Sequence, residues 1–565
     1  MNTRLPLIIL TVSLAIPVAN AQIQERSSPA APATNAPEKI SDLYVDKLAP
    51  FYHGVASGDP LPDGFIIWTR VTQLGQNPNP RLPVSWVVAT DAALTKVVAS
   101  GDTFSTKGAD YTVKVDVRGL EPGRTYFYGF RALGKNSQVG RSKTAPTSGV
   151  RQLKFAVVSC ANYEWGYFSG YRKIAERNDL DAVIHTGDYI YEYPDNDSYS
   201  SRKIRDERVL FPRGETVTLD DYRARYATYH LDRNLRLAHR KHPFIAIWDD
   251  HEFANNAWKR GAKNHQPMEE GKWSDRKAAA KQAYFEWMPI RPRNGKINRT
   301  LSYGPLMDLI LLDTRIQGRE KQVDDVNSPE LDDPSRTMLG ENQKAWLKDE
   351  LTASTATWKI LGNQVVFSEF NIGFAAGPGG RFLESQFLDI WDGYPAERRE
   401  LVRFIKNNDV SNTVILAGDI HASFAFEVVD PAFGNDNYDP KTGKGAVAVE
   451  FVTPSLSAAN FDEEIGDTTS GEIEDKINRR GSDNPNPHMK FADLDRHGYL
   501  VLSVSAAQVQ ADYYYLRDIL ARQTTETWGA GFINREGTHH LIRAENPAPP
   551  KASAPGESLP DEEAP

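Results

Sequence analysis

Cysteine is nearly absent. The 565 residues hold one, Cys160, which excludes an internal disulfide and a four-cysteine zinc site. An excess of positive charge is absent too. Lys and Arg number 66 against 75 Asp and Glu, for a net charge of −9, so no basic nucleic-acid-binding surface is evident. An acidic chain can still take a phosphate ester, provided that a local cation supplies the attraction. Past the N-terminal stretch, no apolar run approaches the roughly 20 residues that a membrane span requires. No internal repeat is evident. What is there, 40% hydrophobic and 25% charged, fits a soluble globular protein and argues against a disordered or fibrous one.

The two ends read differently from the middle. Residues 1–21 carry Arg4, an apolar stretch and the small-x-small site Ala19-Asn20-Ala21. This reads as a signal peptide cleaved after Ala21, with a membrane anchor as the alternative. No twin arginine is present. The mature protein is expected to be periplasmic or secreted. Residues 22–44 read as a disordered linker, and residues 546–565, rich in Pro, Ala and Glu, as a disordered tail.

Residues 45–146 alternate with the period of strands, in short runs bounded by Gly, Pro and Asp. The expectation is an all-β sandwich. Gly119-Leu120-Glu121-Pro122-Gly123 followed by Tyr126-Phe127-Tyr128 resembles the late strands of fibronectin type III modules. From about residue 150 to 525 the pattern changes to α/β. LKFAVVS and DLDAVIHTG read as buried strands flanking an amphipathic helix, which implies parallel pairing. PFIAIW, DLILLD, WKILGN and NTVILAG read as further strands. LDDYRARYATYHLDRNLRLAHRK reads as one helix. The acidic stretch FDEEIGDTTSGEIEDK reads as a solvated loop that could instead shape access to a site.

In an open α/β sheet, ligands sit at the carboxyl ends of the strands. Those ends deliver Cys160, then Asp188 and Tyr191, then Asp249, Asp250, His251, Glu252 and Asn256, then Asn363, then Asp419 and His421. So many carboxylates on one edge would repel one another without cations. The mixture of Asp, His, Asn, Tyr and Cys suits a site for two or three metals. Asp188, after Gly187, could present both oxygens to two ions. Paired metals are best used in in-line displacement at phosphorus, because a bound water is acidified from a pKa of about 15.7 toward 7.

GDYIY, DDHE and GDIH resemble the metal motifs GDxxY, GNHE and GHxH of calcineurin-like metallophosphoesterases. More closely, FYHGVASGDPLPDGFIIWTRV, HTGDYIYEY, IWDDHEFANNAW, LLDTR and AGDIHASF resemble PhoD-type alkaline phosphatases and phosphodiesterases. The resemblance implies a four-layer α/β/β/α metallophosphoesterase domain preceded by the sandwich. It implies ferric iron held by Cys160, Asp188, Tyr191 and His421, with Asp188 bridging to calcium. Asp250 and Asp419 would hold calcium, with Asn256 a further candidate. The implied reaction is hydrolysis of phosphate mono- or diesters by a metal-bound hydroxide or oxide.

Each residue has a plainer alternative. Cys160 could be a small buried apolar group and Tyr191 a core residue. His251 is expected to donate a proton to the leaving group, or else to be structural. Asp249 is counted as a metal ligand, with orientation of backbone as its alternative. Asn363 is counted as a substrate contact, with capping of a turn as its alternative. Asp313 and Arg315 read as structural, His185 as core, and spacing alone assigns no phosphate-clamping arginine. Two other functions stay open. One is a phosphodiesterase or phospholipase-D-type hydrolase using the same site. The other is a non-catalytic cell-surface binding protein with a degenerate site.

Overall fold

A computed structural model describes residues 37–551, apart from 76–77, 196, 198–207, 293, 377–379, 435 and 479–483. The expected signal peptide and most of the expected linker and tail lie outside the described residues. No helix among the described residues is long and apolar enough to cross a membrane.

The chain folds around two large sheets, of ten and seven strands. At the centre of the larger one, Gln152–Val158, Ala182–His185 and Pro243–Ala246 run parallel. They are buried on both faces, which is why each reads as a continuous apolar run. Gly498–Ser505, Gln508–Leu516, Glu526–Arg535 and Leu541–Arg543 extend one side antiparallel. The seven-stranded sheet holds Met307–Leu311, Trp358–Gly362, Thr413–Ala417 and Ala448–Val452 in parallel.

Alternation along these strands sorts side chains between two cores. Leu309, Leu311, Ile360, Val414, Leu416 and Phe451 join the core shared with the ten-stranded sheet. Ile310, Leu361, Ile415 and Val452 join a second core with Leu347, Leu401 and Ile473 from helices on the opposite face. The fold is therefore α/β with mixed sheets.

The N-terminal strands fall into two sheets, one of which is continuous with the α/β body. Val55–Leu61 pairs parallel with Pro243–Ala246, and Gly64–Arg70 and Thr112–Arg118 follow it in the ten-stranded sheet. Arg81–Ala89, Val97–Thr106 and Thr125–Ala132 form a separate sheet against them. One strand thereby serves two cores. Phe65 and Ile67 face the β-core with Val84, Val88 and Tyr128. Trp68 faces the main core, its Nε1 donating to Glu286 O at 2.8 Å. A buried ion pair, Arg299 to Asp59 at 2.7 Å, crosses the same seam.

Four expectations change. The long helix is two, Leu219–His230 and Arg233–Lys241, because Asp232 caps the second by accepting from Asn234 and Leu235 N–H. The acidic stretch is helical over Phe461–Ile465 and Asp467–Asn478, with Ile473 and Ile477 buried. The α/β body does not stop at 525, since Glu526–Arg535 pairs along Gln508–Leu516. The expected tail begins too early, because Ala548 N–H donates to Asp512 and Lys551 pairs with Asp181.

Candidate metal centre

The carboxyl ends of both large sheets converge. A bridge joins Ser159 to Ser455, and Leu456 N–H donates to Ser159 O at 3.0 Å. A side chain on Gly418 would stand 2.4 Å from Ser159 Oγ, so only glycine permits this approach. Gly187 is constrained likewise: its φ is 123°, and a Cβ there would lie 2.3 Å from Asp249 Cβ.

The turns after the strands bring the donors together as three overlapping groups. Cys160, Asp188 and His421 form one, Asp188, Asp250 and His251 the second, and Asp249, Asp250 and Asp419 the third. Within each, the potential ligand atoms lie within 4.8 Å of one another. Asp188 links the first two groups and Asp250 the last two. Tyr191 joins the first group, with its hydroxyl 3.3 Å from Asp188 Oδ2 and 3.1 Å from His421 Nε2. Asn256 lies beside the third, its backbone N–H donating to Asp250. Five of these residues, Cys160, Asp188, Asn256, Asp419 and His421, hold left-handed φ between 51° and 68°. Such backbone costs on the order of 1–3 kcal/mol per residue and collects at functional sites.

The electrostatics call for cations. Burial pushes Asp188 and Asp419 well above the usual carboxylate range, with neighbouring carboxylates adding to it. Burial lifts Asp249 to about 6 against the pull of Arg315. For Asp250 burial is outweighed by Arg315 and His251, and its carboxylate falls below the usual range. Asp250 Oδ1 is nonetheless buried without a hydrogen-bond partner. Burial and Asp188 push the Cys160 thiol up. Cations among these groups would reverse the penalties, so the donor set fits metal ions.

The two histidines are held by different partners. His421 Nδ1–H donates to Ala459 O at 2.6 Å, leaving Nε2 with its lone pair, and burial lowers its pKa to about 4. That is the state of a ligand. His251 Nδ1 lies 2.7 Å from Glu192 Oε2, and its ring stacks on Tyr191 at 4.3 Å. Burial opposes its charge, but Glu192, Asp250 and Asp188 outweigh it and raise its pKa well above the ordinary value.

Two residues belong to the centre that the strand-end reading did not assign. Arg315, fully buried, sends Nε to Asp249 at 2.5 Å, Nη2 to Asp419 at 2.5 Å and Nη1 to Asp389 at 3.0 Å. It follows the strand Met307–Leu311, so its position carried the signal. With each nitrogen committed to a carboxylate, it orders the acidic groups. Asp389 follows no strand and offered no such signal. Glu252 positions two turns at once, accepting from Asp188 N–H at 3.1 Å and Asp249 N–H at 2.7 Å.

The structure does not bring Asn363 to the centre. Its amide donates to Val365 O and accepts from Trp391 Nε1 at 3.2 Å. Continued strand alternation puts it on the face of Leu361, in the second core. Gln364, one residue on, reaches Trp248 O at 2.9 Å. His185 is buried against Tyr171 at 2.9 Å, in the core as expected.

Residues 155–513 match the family model described as PhoD-like phosphatase, and residues 41–146 match PhoD-like phosphatase, N-terminal domain. Alkaline phosphatase D of Bacillus subtilis (strain 168) is 38% identical over 482 residues, covering 82% of this chain and 77% of that protein. A solved structure, described as Structure of PhoD, aligns with a TM-score of 0.76 at 34% identity, covering 88% of this chain and 93% of that one. The convergence of donors described above thus occurs in a chain that belongs to the PhoD-like phosphatase family.

Proposed function

We propose that this protein hydrolyses phosphate esters at the centre formed by Cys160, Asp188, Tyr191, Asp249, Asp250, Asn256, Asp419 and His421. The observation that carries the reading is the sharing of Asp188 and Asp250 among three donor groups. Completeness of the donor set supports catalysis over a degenerate binding module.

Donor chemistry supports two kinds of ion. Thiolate, phenolate and imidazole from Cys160, Tyr191 and His421, with Asp188, suit ferric iron. Asp249, Asp250, Asp419 and Asn256 offer oxygen donors, which suits calcium. Such ions supply neutralisation of the phosphate and acidification of water. The chain's own residues do the rest. Arg315 spaces Asp249 and Asp419, while Glu252 fixes the turns that carry Asp188 and Asp249. His251, kept protonated by Glu192, gives its proton to the leaving oxygen. We read the two large sheets as the inner pair of a four-layer α/β/β/α stack, supported by the sorting of side chains into two cores. Residues 1–21 support export to the periplasm or beyond.

The test is elemental analysis of purified protein beside hydrolysis of chromogenic mono- and diesters. Bound iron and calcium, with activity lost to a chelator and restored by calcium, are expected. A metal-free protein, or one that hydrolyses both esters in chelator, refutes the proposal.

A further inference from the structure

The residue before Cys160 also reaches the centre. Ser159 directly follows strand Gln152–Val158 and is 1% exposed. Its Oγ lies 3.1 Å from Cys160 Sγ. Among the described residues, neither atom has another hydrogen-bond partner.

The pair is fixed by its backbone. Cys160 N–H donates to Gly187 O at 3.2 Å, and Cys160 O accepts from Ser457 N–H at 3.3 Å and Ala458 N–H at 3.2 Å. Gly418, just before Asp419, makes room for the serine hydroxyl. A Cβ there would stand 2.4 Å from Ser159 Oγ and 2.8 Å from Thr186 Oγ1. Thr186 Oγ1 is buried too, but it has no hydrogen-bond partner.

The direction of the Ser159–Cys160 bond depends on the metal. In the thiol, Sγ–H donates to Ser159 Oγ. A sulfur that binds a cation has lost its proton. The hydrogen left between the two atoms is then the serine's, so Ser159 donates to the thiolate. Such a bond to an ionised acceptor is short and strong. It draws electron density from the sulfur, which then gives less to the metal, and hydrogen bonds to ligating sulfur set a metal's potential in this way. His421 is treated in the opposite sense. Its Nδ1–H donates to Ala459 O, which makes Nε2 a stronger ligand.

We propose that Ser159 is a positioning residue for the reaction: its hydroxyl donates to the Cys160 thiolate and weakens that sulfur as a ligand, so that the iron keeps its Lewis acidity. The inference rests on the reading of Cys160, Asp188, Tyr191 and His421 as the iron site.

The test is resonance Raman spectroscopy of the metal-loaded protein, with its visible spectrum and reduction potential. Protein loaded in heavy water is expected to show a shifted iron–sulfur stretch. Ser159→Ala is expected to raise the stretch, abolish its response to heavy water, move the sulfur-to-iron band to longer wavelength and lower the potential. Thr186→Val removes a buried hydroxyl that faces the same glycine, and is expected to leave all of these in place. A stretch that ignores heavy water, that Ser159→Ala does not move, or that Thr186→Val moves as far, overturns the role of Ser159 and leaves the iron site standing. Absence of any iron–sulfur stretch overturns the reading of that site and the inference with it.

Discussion

Replacing Arg315 with methionine tests whether the centre is held open by fixed positive charge. The guanidinium is buried and lies against Asp249, Asp389 and Asp419, with Asp250 Oδ1 at 3.6 Å from Nη2. Methionine keeps much of the volume and removes the charge. Taking one partner from a buried ion network costs about 3–5 kcal/mol, because the remaining charges stay buried and unpaired. Unfolding entropy of about 2.1 cal/mol/K per residue makes each kcal/mol worth roughly 1 °C in a chain this long. A fall in Tm of about 3–5 °C is therefore expected in chelator, measured by calorimetry. Calcium at a thousandfold excess over its Kd stabilises whichever form binds it by about 4 kcal/mol. Because a cation takes over the carboxylates that Arg315 leaves, the gap between variant and parent should shrink by more than half in calcium. A gap that calcium leaves unchanged refutes the argument, and so does a loss under about 1 °C in chelator.

Other expectations follow from the same geometry. Cys160→Ser and Tyr191→Phe should each shift or abolish the visible absorption band that thiolate or phenolate gives on ferric iron; a band that neither moves removes both residues from the ligand set. His251→Gln should slow esters with poor leaving groups far more than those with good ones, as loss of a proton donor requires. An equal loss on both would show that His251 acts otherwise. Gly187→Ala should lower activity and Tm together, since a Cβ there meets Asp249 Cβ at 2.3 Å. Asp232→Ala should cost more than the about 1 kcal/mol of a lost helix cap, read in denaturant midpoint, because it also takes the carboxylate at 2.7 Å from buried Arg208 while leaving the centre alone.

How much of this was legible in the sequence depended on which signal each residue carried. Cys160, Asp188, Asp250, Asp419 and His421 were found because each follows an apolar run that had to be a strand. Arg315 obeys the same rule, yet an arginine among expected metal ligands reads as structural until its three carboxylates are seen. Asn363 obeys the rule only superficially. Counting alternation two residues past Leu361 places it on the face away from the centre, a parity that the sequence itself displays. Asp389 carried no signal, since it reaches Arg315 from a loop whose path no local pattern sets. The break at Asp232 was legible as a cap inside a helical period. The joining of N-terminal strands to the ten-stranded sheet was not, because pairing between Val55–Leu61 and Pro243–Ala246 spans almost two hundred positions and leaves no periodic trace.

That pairing bears on how the protein can be divided. A chain cut to begin near residue 147 would leave Pro243–Ala246 as a raw margin, with unsatisfied backbone donors and acceptors along it. It would also strip Trp68 from the main core and leave Arg299 buried without its counter-charge. Such a fragment would recruit foreign strands and precipitate. The first quarter of the molecule is therefore part of the scaffold on which the Asp249–Asp250 turn is built, and mix-and-match grafting of that quarter between relatives succeeds only where the seam is carried with it.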